Sequence, residues 1–298
     1  MTVRFREATE HFQHYARLHG RSRKTLQLYA WVFQQVERRF GDPVLEELGP
    51  LELRQWLGDL LQEGWRPTSV SIVHRVLHAF FRWCVREGLV QGNPLEDVPA
   101  PKTAKVFPFT LDDSQIQALL KACDKRTPHG FRNYVILLLL LDCGLRLQEL
   151  IDLRMGDVSL AQRALKVRGK GSKERVVYMG YRTAKAMRRW LEMRPAFHPW
   201  TDHVFVDRKG EPLKPRWVQE VIARLGKKAG LKRRLSPHRL RHVSATLAVR
   251  NGMDAFTLQR LYGWESVETA MRYVNAANPQ LREAHAKASP VDRLLEGR

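Results

Sequence analysis

The chain has 298 residues, 44% of them hydrophobic, and carries 51 Lys and Arg against 31 Asp and Glu, a net charge of +20. That length suits two ordinary domains or one large one, and the apolar content is that of a water-soluble globular protein. The longest apolar run, Tyr134 to Leu141, is too short to cross a bilayer, and residues 1–12 hold no secretory core, so no membrane partner and a cytoplasmic location are expected.

The charge is uneven. Residues 1–100 hold 13 basic and 12 acidic side chains, whereas residues 101–298 hold 38 and 19. A module that basic suits a polyanion, because phosphate contacts supply most of the affinity for nucleic acid. The three cysteines, Cys84, Cys123 and Cys143, are widely spaced and lie in apolar stretches. They read as packing residues rather than a disulfide framework or a zinc site.

Residues 1–97 read as four helices, Thr9–Gly20, Ser22–Phe40, Gly49–Glu63 and Pro67–Gly88, each with apolar residues at three-to-four spacing. Ser22 caps one start, and Gly41, Gly64 and Gly88 follow three ends. Such helices make a small bundle. On the fourth, Arg75, His78, Arg82 and Arg86 share a face away from the apolar stripe of Val73, Val76, Leu77, Phe80 and Cys84. That basic edge reads either as a surface for a DNA groove or as a solvated helix face. Residues 98–108 are rich in Pro and Lys without periodicity and read as a linker.

The second domain spans residues 109–298. Helices are expected over Gln115–Lys125, Phe131–Asp142 and Leu147–Arg154, then a β-hairpin over Ala164–Gly180 with its tip at Gly169-Lys170-Gly171-Ser172. A helix over Thr183–Arg194, a short strand at His203–Val206 and a helix over Pro215–Lys228 follow. Ser236-Pro237 caps a helix that runs to Gly252, and Ser266 caps one that carries Tyr273.

Several polar residues stand where packing does not ask for them. Arg146 follows Gly144, and Glu149 lies three residues on, on the same helical face. Lys170 sits at the hairpin tip. His238 and Arg241 open a capped helix, with His242 next, and Trp264 precedes Tyr273 by nine residues. These stretches resemble the tyrosine recombinases. Cys143-Gly-Leu-Arg146-Leu-Gln-Glu149 is similar to their first arginine box, and Gly169-Lys170-Gly-Ser-Lys173-Glu-Arg175 to their lysine hairpin. His238-Arg-Leu-Arg241-His242 is similar to their His-x-x-Arg box, and Leu261-Tyr-Gly-Trp264 followed by Tyr273 to their last box and nucleophile. Order and spacing fit together across the chain, as in the two-domain Xer and Cre type. One departure is Trp264, where most of the family has His; Cre is similar to this chain in having Trp.

The resemblance implies a mainly α fold: a four-helix, SAM-like core-binding bundle followed by an α+β catalytic domain with a small antiparallel sheet. It implies a site-specific recombinase acting through a 3′-phosphotyrosyl bond on Tyr273, a Holliday junction, and a homo- or hetero-tetramer on double-stranded DNA. A tyrosine has a pKa of about 10, so it needs a base or strong stabilisation on the phosphate side. His238 suits the base. Arg146 and Arg241 suit the charge that builds on the phosphate. Lys170, with Lys173 second, suits the acid that protonates the leaving 5′-oxygen. Trp264 brings an N–H donor without a titratable proton. Glu149 supports the site by hydrogen-bonding from behind, and His242 packs or supports. Arg75, Arg82, Arg86, Lys173 and Arg175 are candidate DNA contacts. No metal, nucleotide or other cofactor is expected, since the phosphotyrosyl bond conserves the energy of the bond cut. The last residues, Val291 to Leu295, read as a segment that docks on a neighbouring protomer. A type IB topoisomerase-like enzyme and a non-catalytic DNA-binding regulator on the same fold are the alternatives.

Overall fold

The computed structural model describes residues 3–103, 109–169, 174–276, 285, 289 and 291. The chain divides into two compact units, Met1–Lys105 and Val106–Arg298. The expected tip residues Lys170 and Lys173, and most of the expected docking segment Val291 to Leu295, lie outside the described residues.

The first unit holds helices α1 (Phe5–Leu18), α2 (Arg23–Phe40), α3 (Pro50–Gln62) and α4 (Pro67–Arg86). Ser22 starts α2 by accepting from the Thr25 amide at 3.2 Å, and Pro50 and Pro67 open α3 and α4, where a missing N–H costs nothing. The helices close around aromatic rings. Phe5 meets Phe33 and Phe80 edge-on at 5.8 and 5.5 Å between centroids, and Phe12 meets Phe80 at 5.5 Å. α1 begins four residues earlier than its periodicity suggested, because Phe5 is buried in this core.

The second unit runs α5 (Asp113–Lys121), α6 (Pro128–Asp142), α7 (Leu147–Ile151), strands β1 (Val158–Ser159), β2 (Ala164–Arg168) and β3 (Glu174–Tyr178), then α8 (Tyr181–Met193), α9 (Pro215–Lys228), α10 (Pro237–Arg250), α11 (Ala255–Tyr262) and α12 (Val267–Ala276). α6 is the apolar centre, with Val135, Ile136, Leu137, Leu139 and Leu140 buried, and α8 and α10 pack against it. The strands form one antiparallel sheet in the order β1-β2-β3, with Leu165 opposite Val177 and Val167 opposite Arg175. Leu165, Val167 and Val177 face inward. Alternation therefore turns Arg175 inward as well.

Three expectations are corrected. The expected helix Leu147–Arg154 ends at Ile151, and a 3₁₀ turn follows at Met155–Asp157. The expected strand His203–Val206 makes only single bridges, Arg154 with His203 and Val206 with Pro212. Most of its carbonyls are taken by side chains instead, and that of Phe205 by the Leu213 amide. Arg194 donates to Thr201 and His203, Trp190 to Val204 at 3.0 Å, and Arg132 to Val206 at 2.7 Å. α11 was not expected at all. Asp254 caps it by accepting from the Phe256 and Thr257 amides, and Gly263 ends it at φ 60°. The three cysteines are free and buried.

Candidate active site

The site is assembled at the mouth of α10, between α12, the α11–α12 turn and the α6–α7 turn. Ser236 accepts from the Arg239 amide and Pro237 fixes the first turn, so the start of α10 is rigid. His238, Arg241 and His242 leave from that turn.

Arg241 is 5% exposed. It donates one N–H to the Gly144 carbonyl and another to the Tyr262 carbonyl. Gly144 can offer its carbonyl because it sits at φ 57° with the Tyr262 ring against it; a Cβ there would lie 2.4 Å from that ring. Tyr262 is fixed in turn by Ser244, hydroxyl to hydroxyl at 2.6 Å. Burial, with the neighbouring Arg146 cation, brings the Arg241 pKa down to about 10, against the pull of Glu149. The guanidinium is still charged at neutral pH. Its remaining N–H groups are unspent on these two carbonyls.

Arg146 is held from behind. Glu149 accepts from the Arg146 amide and from its guanidinium, both at 2.8 Å, and the Gly263 carbonyl accepts a further N–H at 2.7 Å. The Arg146 side chain stays 37% exposed, while Glu149 keeps 2% of its own. Glu149 also receives a bidentate pair from Arg175, at 2.6 and 2.9 Å, and Arg175 gives its Nε–H to the Leu261 carbonyl at 2.8 Å. Burial works to raise the Glu149 carboxyl, but the bonds from Arg175 and the Arg146 amide outweigh it and hold it below the usual carboxylate range. Arg175, expected as a DNA contact, places its fork on Glu149 and its Nε–H on the Leu261 carbonyl and so ties β3 to α7 and α11. The two-residue step from Val177 was the sequence signal for this.

Tyr273 on α12 is 4% exposed. Trp264 stacks on its ring, with centroids 5.2 Å apart and planes at 3°, and the Arg241 guanidinium lies 5.5 Å from the Trp264 centroid. The Tyr273 hydroxyl is 2.5 Å from Nδ1 of His242, and Nε2 of His242 is 3.0 Å from Nε2 of His238. His238 thus reaches the phenol only through His242, a contact that sequence reasoning missed by taking His242 as packing or support. The signal was present: α10 brings residues 238 and 242, four apart, onto one face. Burial, then His238 and Arg241, press His242 down to about 4; burial and Arg241 lower His238 as well. Burial raises Tyr273 against the pull of Arg241 and Arg272. At neutral pH the resting site therefore holds a neutral phenol beside neutral imidazoles.

His238, Arg241, His242, Trp264 and Tyr273 line a cleft of about 1000 Å³ with Lys232, Arg233, Arg239 and Arg272, and no carboxylate is among its lining residues. It is a cationic cleft that opens beside the Tyr273 phenol.

The chain matches the phage integrase family over residues 110–279. It is 32% identical over 250 residues to the tyrosine recombinase XerC of Actinobacillus pleuropneumoniae, covering 84% of this chain and 81% of that one. It is 34% identical over 242 residues to XerC of Alcanivorax borkumensis, covering 80% and 79%. The chain belongs to the phage integrase family, as a tyrosine recombinase. The fold agrees. One chain of a lambda integrase tetramer bound to a Holliday junction superposes with a TM-score of 0.76 at 20% identity, over 93% of this chain and 79% of that one.

In the recombinase, Arg146, Glu149, His238, Arg241, His242, Trp264 and Tyr273 come together within the second unit. Arg75, Arg82 and Arg86 lie exposed on α4 of the first. Arg86 stacks over Tyr15, 4.7 Å from its centroid, and His78 faces Glu96 at 3.4 Å. Among the described residues no helix is long and apolar enough to cross a membrane.

Proposed function

We propose that this recombinase cuts and rejoins double-stranded DNA at a specific site, through a 3′-phosphotyrosyl bond on Tyr273 and a Holliday junction. The observation that carries this reading is the placement of the Tyr273 hydroxyl, a histidine pair and the Arg241 guanidinium in one cationic cleft.

The scissile phosphate sits in the cleft, with Arg146 and Arg241 on its non-bridging oxygens. The carbonyls of Gly144, Tyr262 and Gly263, together with Glu149, fix where both forks point. Such preorganised charge acts where the attacking oxygen builds negative charge on phosphorus. Trp264 holds the phenol by stacking and offers its N–H to a phosphate oxygen. Lys170 protonates the leaving 5′-oxygen, with Lys173 second in that role. The domain borders are residues 1–97 for the DNA-gripping bundle, 98–108 for the linker and 109–298 for catalysis. Arg75, Arg82 and Arg86 take phosphates, four protomers, like or mixed, assemble on DNA, and the reaction runs in the cytoplasm without metal or nucleotide.

Selection of bound DNA from random duplexes yields the site, and a nicked version of it traps the intermediate. The expected result is a covalent protein–DNA adduct that Tyr273→Phe abolishes. An adduct that survives Tyr273→Phe, or none from the unaltered protein, overturns the reading.

A further inference from the structure

We infer that His242 is a catalytic residue of this recombinase, which takes the proton of Tyr273 and passes another to His238. The inference rests on the function proposed above and goes beyond it, since a family resemblance would set His238 directly on the phenol. The geometry leaves no direct place for His238 there. Its Nε2 lies 3.0 Å from Nε2 of His242, and it is Nδ1 of His242 that meets the Tyr273 hydroxyl.

Both ring nitrogens of His242 are engaged, one on each side, so its tautomer is set by its neighbours. With the phenol donating to Nδ1, His242 carries its proton on Nε2 and donates it to Nε2 of His238. His238 then carries its own proton on Nδ1. When the phenol O–H breaks, its proton goes to Nδ1 of His242, and the Nε2 proton of His242 moves to His238. The freed oxygen pair forms the O–P bond, the P–O5′ bond breaks, and the 5′-oxygen leaves with a proton from the lysine assigned above. Rejoining runs the same path backward, so His238, now an imidazolium, returns a proton through His242 to the departing phenol.

The surroundings suit this path. His242 is half-buried and flanked by cations, so it holds a proton poorly; it conducts a proton rather than keeping one. His238 lines the open cleft, where the arriving phosphate is an anionic neighbour that stabilises the imidazolium. Among the described residues that line the cleft with the pair, the charged ones are Arg241 and Arg239 on α10, Arg272 on α12, and Lys232 and Arg233 on the segment before α10, all cations. Thr246 donates to the His242 carbonyl at 3.0 Å, which keeps this turn of α10 in place.

The test uses the full chain, the selected nicked duplex and single-turnover adduct formation. His242→Gln keeps a hydrogen-bond acceptor for the phenol but cannot relay, and its rate is expected to fall by about 100-fold with DNA affinity unchanged. His242→Gly opens a space for added imidazole, whose neutral form is expected to restore adduct formation, with a pH profile that follows the added base. A purely structural role for His242 would give no such dependence. His242→Gln at the unaltered rate and pH profile, or no rescue of the glycine variant by imidazole, overturns the relay. If the unaltered protein forms adduct in these arms, the proposed function stands while the relay falls; no adduct from the unaltered protein removes both.

Discussion

In residues 3–103 the buried interior is apolar and aromatic, with Thr9 and His74 its buried polar side chains among the described residues. Beyond residue 108 the same burial takes in Arg132, Glu149, Arg194 and Arg241. The first unit spends its burial on stability, each large apolar side chain contributing about 1.5–3 kcal/mol. The second spends part of it on charges that tie irregular backbone. Arg132 and Arg194 hold the carbonyls of Thr201, His203 and Val206, while Arg241 and the Glu149 cluster hold the turns beside the candidate active site. Buried charge is costly unless paired and bonded, so its confinement to one unit marks where geometry matters more than packing.

The sharpest way to break this contrast is to trade a charge from each unit. Arg241→Lys keeps the charge but loses the fork that spans two carbonyls and, in the proposed reaction, the phosphate, and adduct formation is expected to fall by about 10³-fold or more. Arg82→Ala on α4 is expected to leave the rate at saturating DNA unchanged and to weaken binding with a shallower salt dependence. Single-turnover rates and a salt titration read both. A large rate loss in Arg82→Ala would erase the division of labour.

Next in size is Glu149→Ala. It leaves the cations Arg146 and Arg175 around an empty buried site and is expected to cost about 3–5 kcal/mol, read as an earlier denaturant transition of the second unit. Little change would mean that the cluster is ornamental to the fold. Smaller again is the Trp264 pair. Trp264→His keeps a ring N–H and is expected to retain much of the cleavage rate, while Trp264→Phe keeps the stacking and loses more. Equal losses would count against the donor role, and a smaller loss in Trp264→Phe would show that stacking on Tyr273 is what the position supplies.

The smallest effect is on pH. His242 is lowered in the folded protein to about 4, against about 6.5 when unfolded. Between those values the unfolded chain binds more protons, so stability falls as pH drops from about 6.5 toward 4 and is complete above it. His242→Gln is expected to flatten that part of the melting-temperature curve. An unchanged slope would place the acid sensitivity elsewhere.

Much of this molecule was legible in its residues. Helical periodicity and caps marked α2, α3, α4, α6 and α10, and the hairpin was marked by alternation around a glycine-flanked tip. The residues that meet in the cleft were marked by being polar and placed at element starts. Other features were not legible. His203–Val206 read as a short strand, yet the carbonyls of His203, Val204 and Val206 are claimed by Arg194, Trp190 and Arg132, which lie on other elements. Arg175 read as a candidate DNA contact, and its bonds to Glu149 and the Leu261 carbonyl could not be read from its charge alone.

What the linear order decided is chemical: which side chains can attack, accept or bear charge, and which turns present them, since caps, glycines and spacing act over a few residues. What only the tertiary structure decided is which of them touch. Hydrogen bonds between positions such as 146 and 263, or 242 and 273, depend on the packing of α12 and the α6–α7 turn against α10. No local rule specifies that packing, because it is selected by the joint burial of every surface involved.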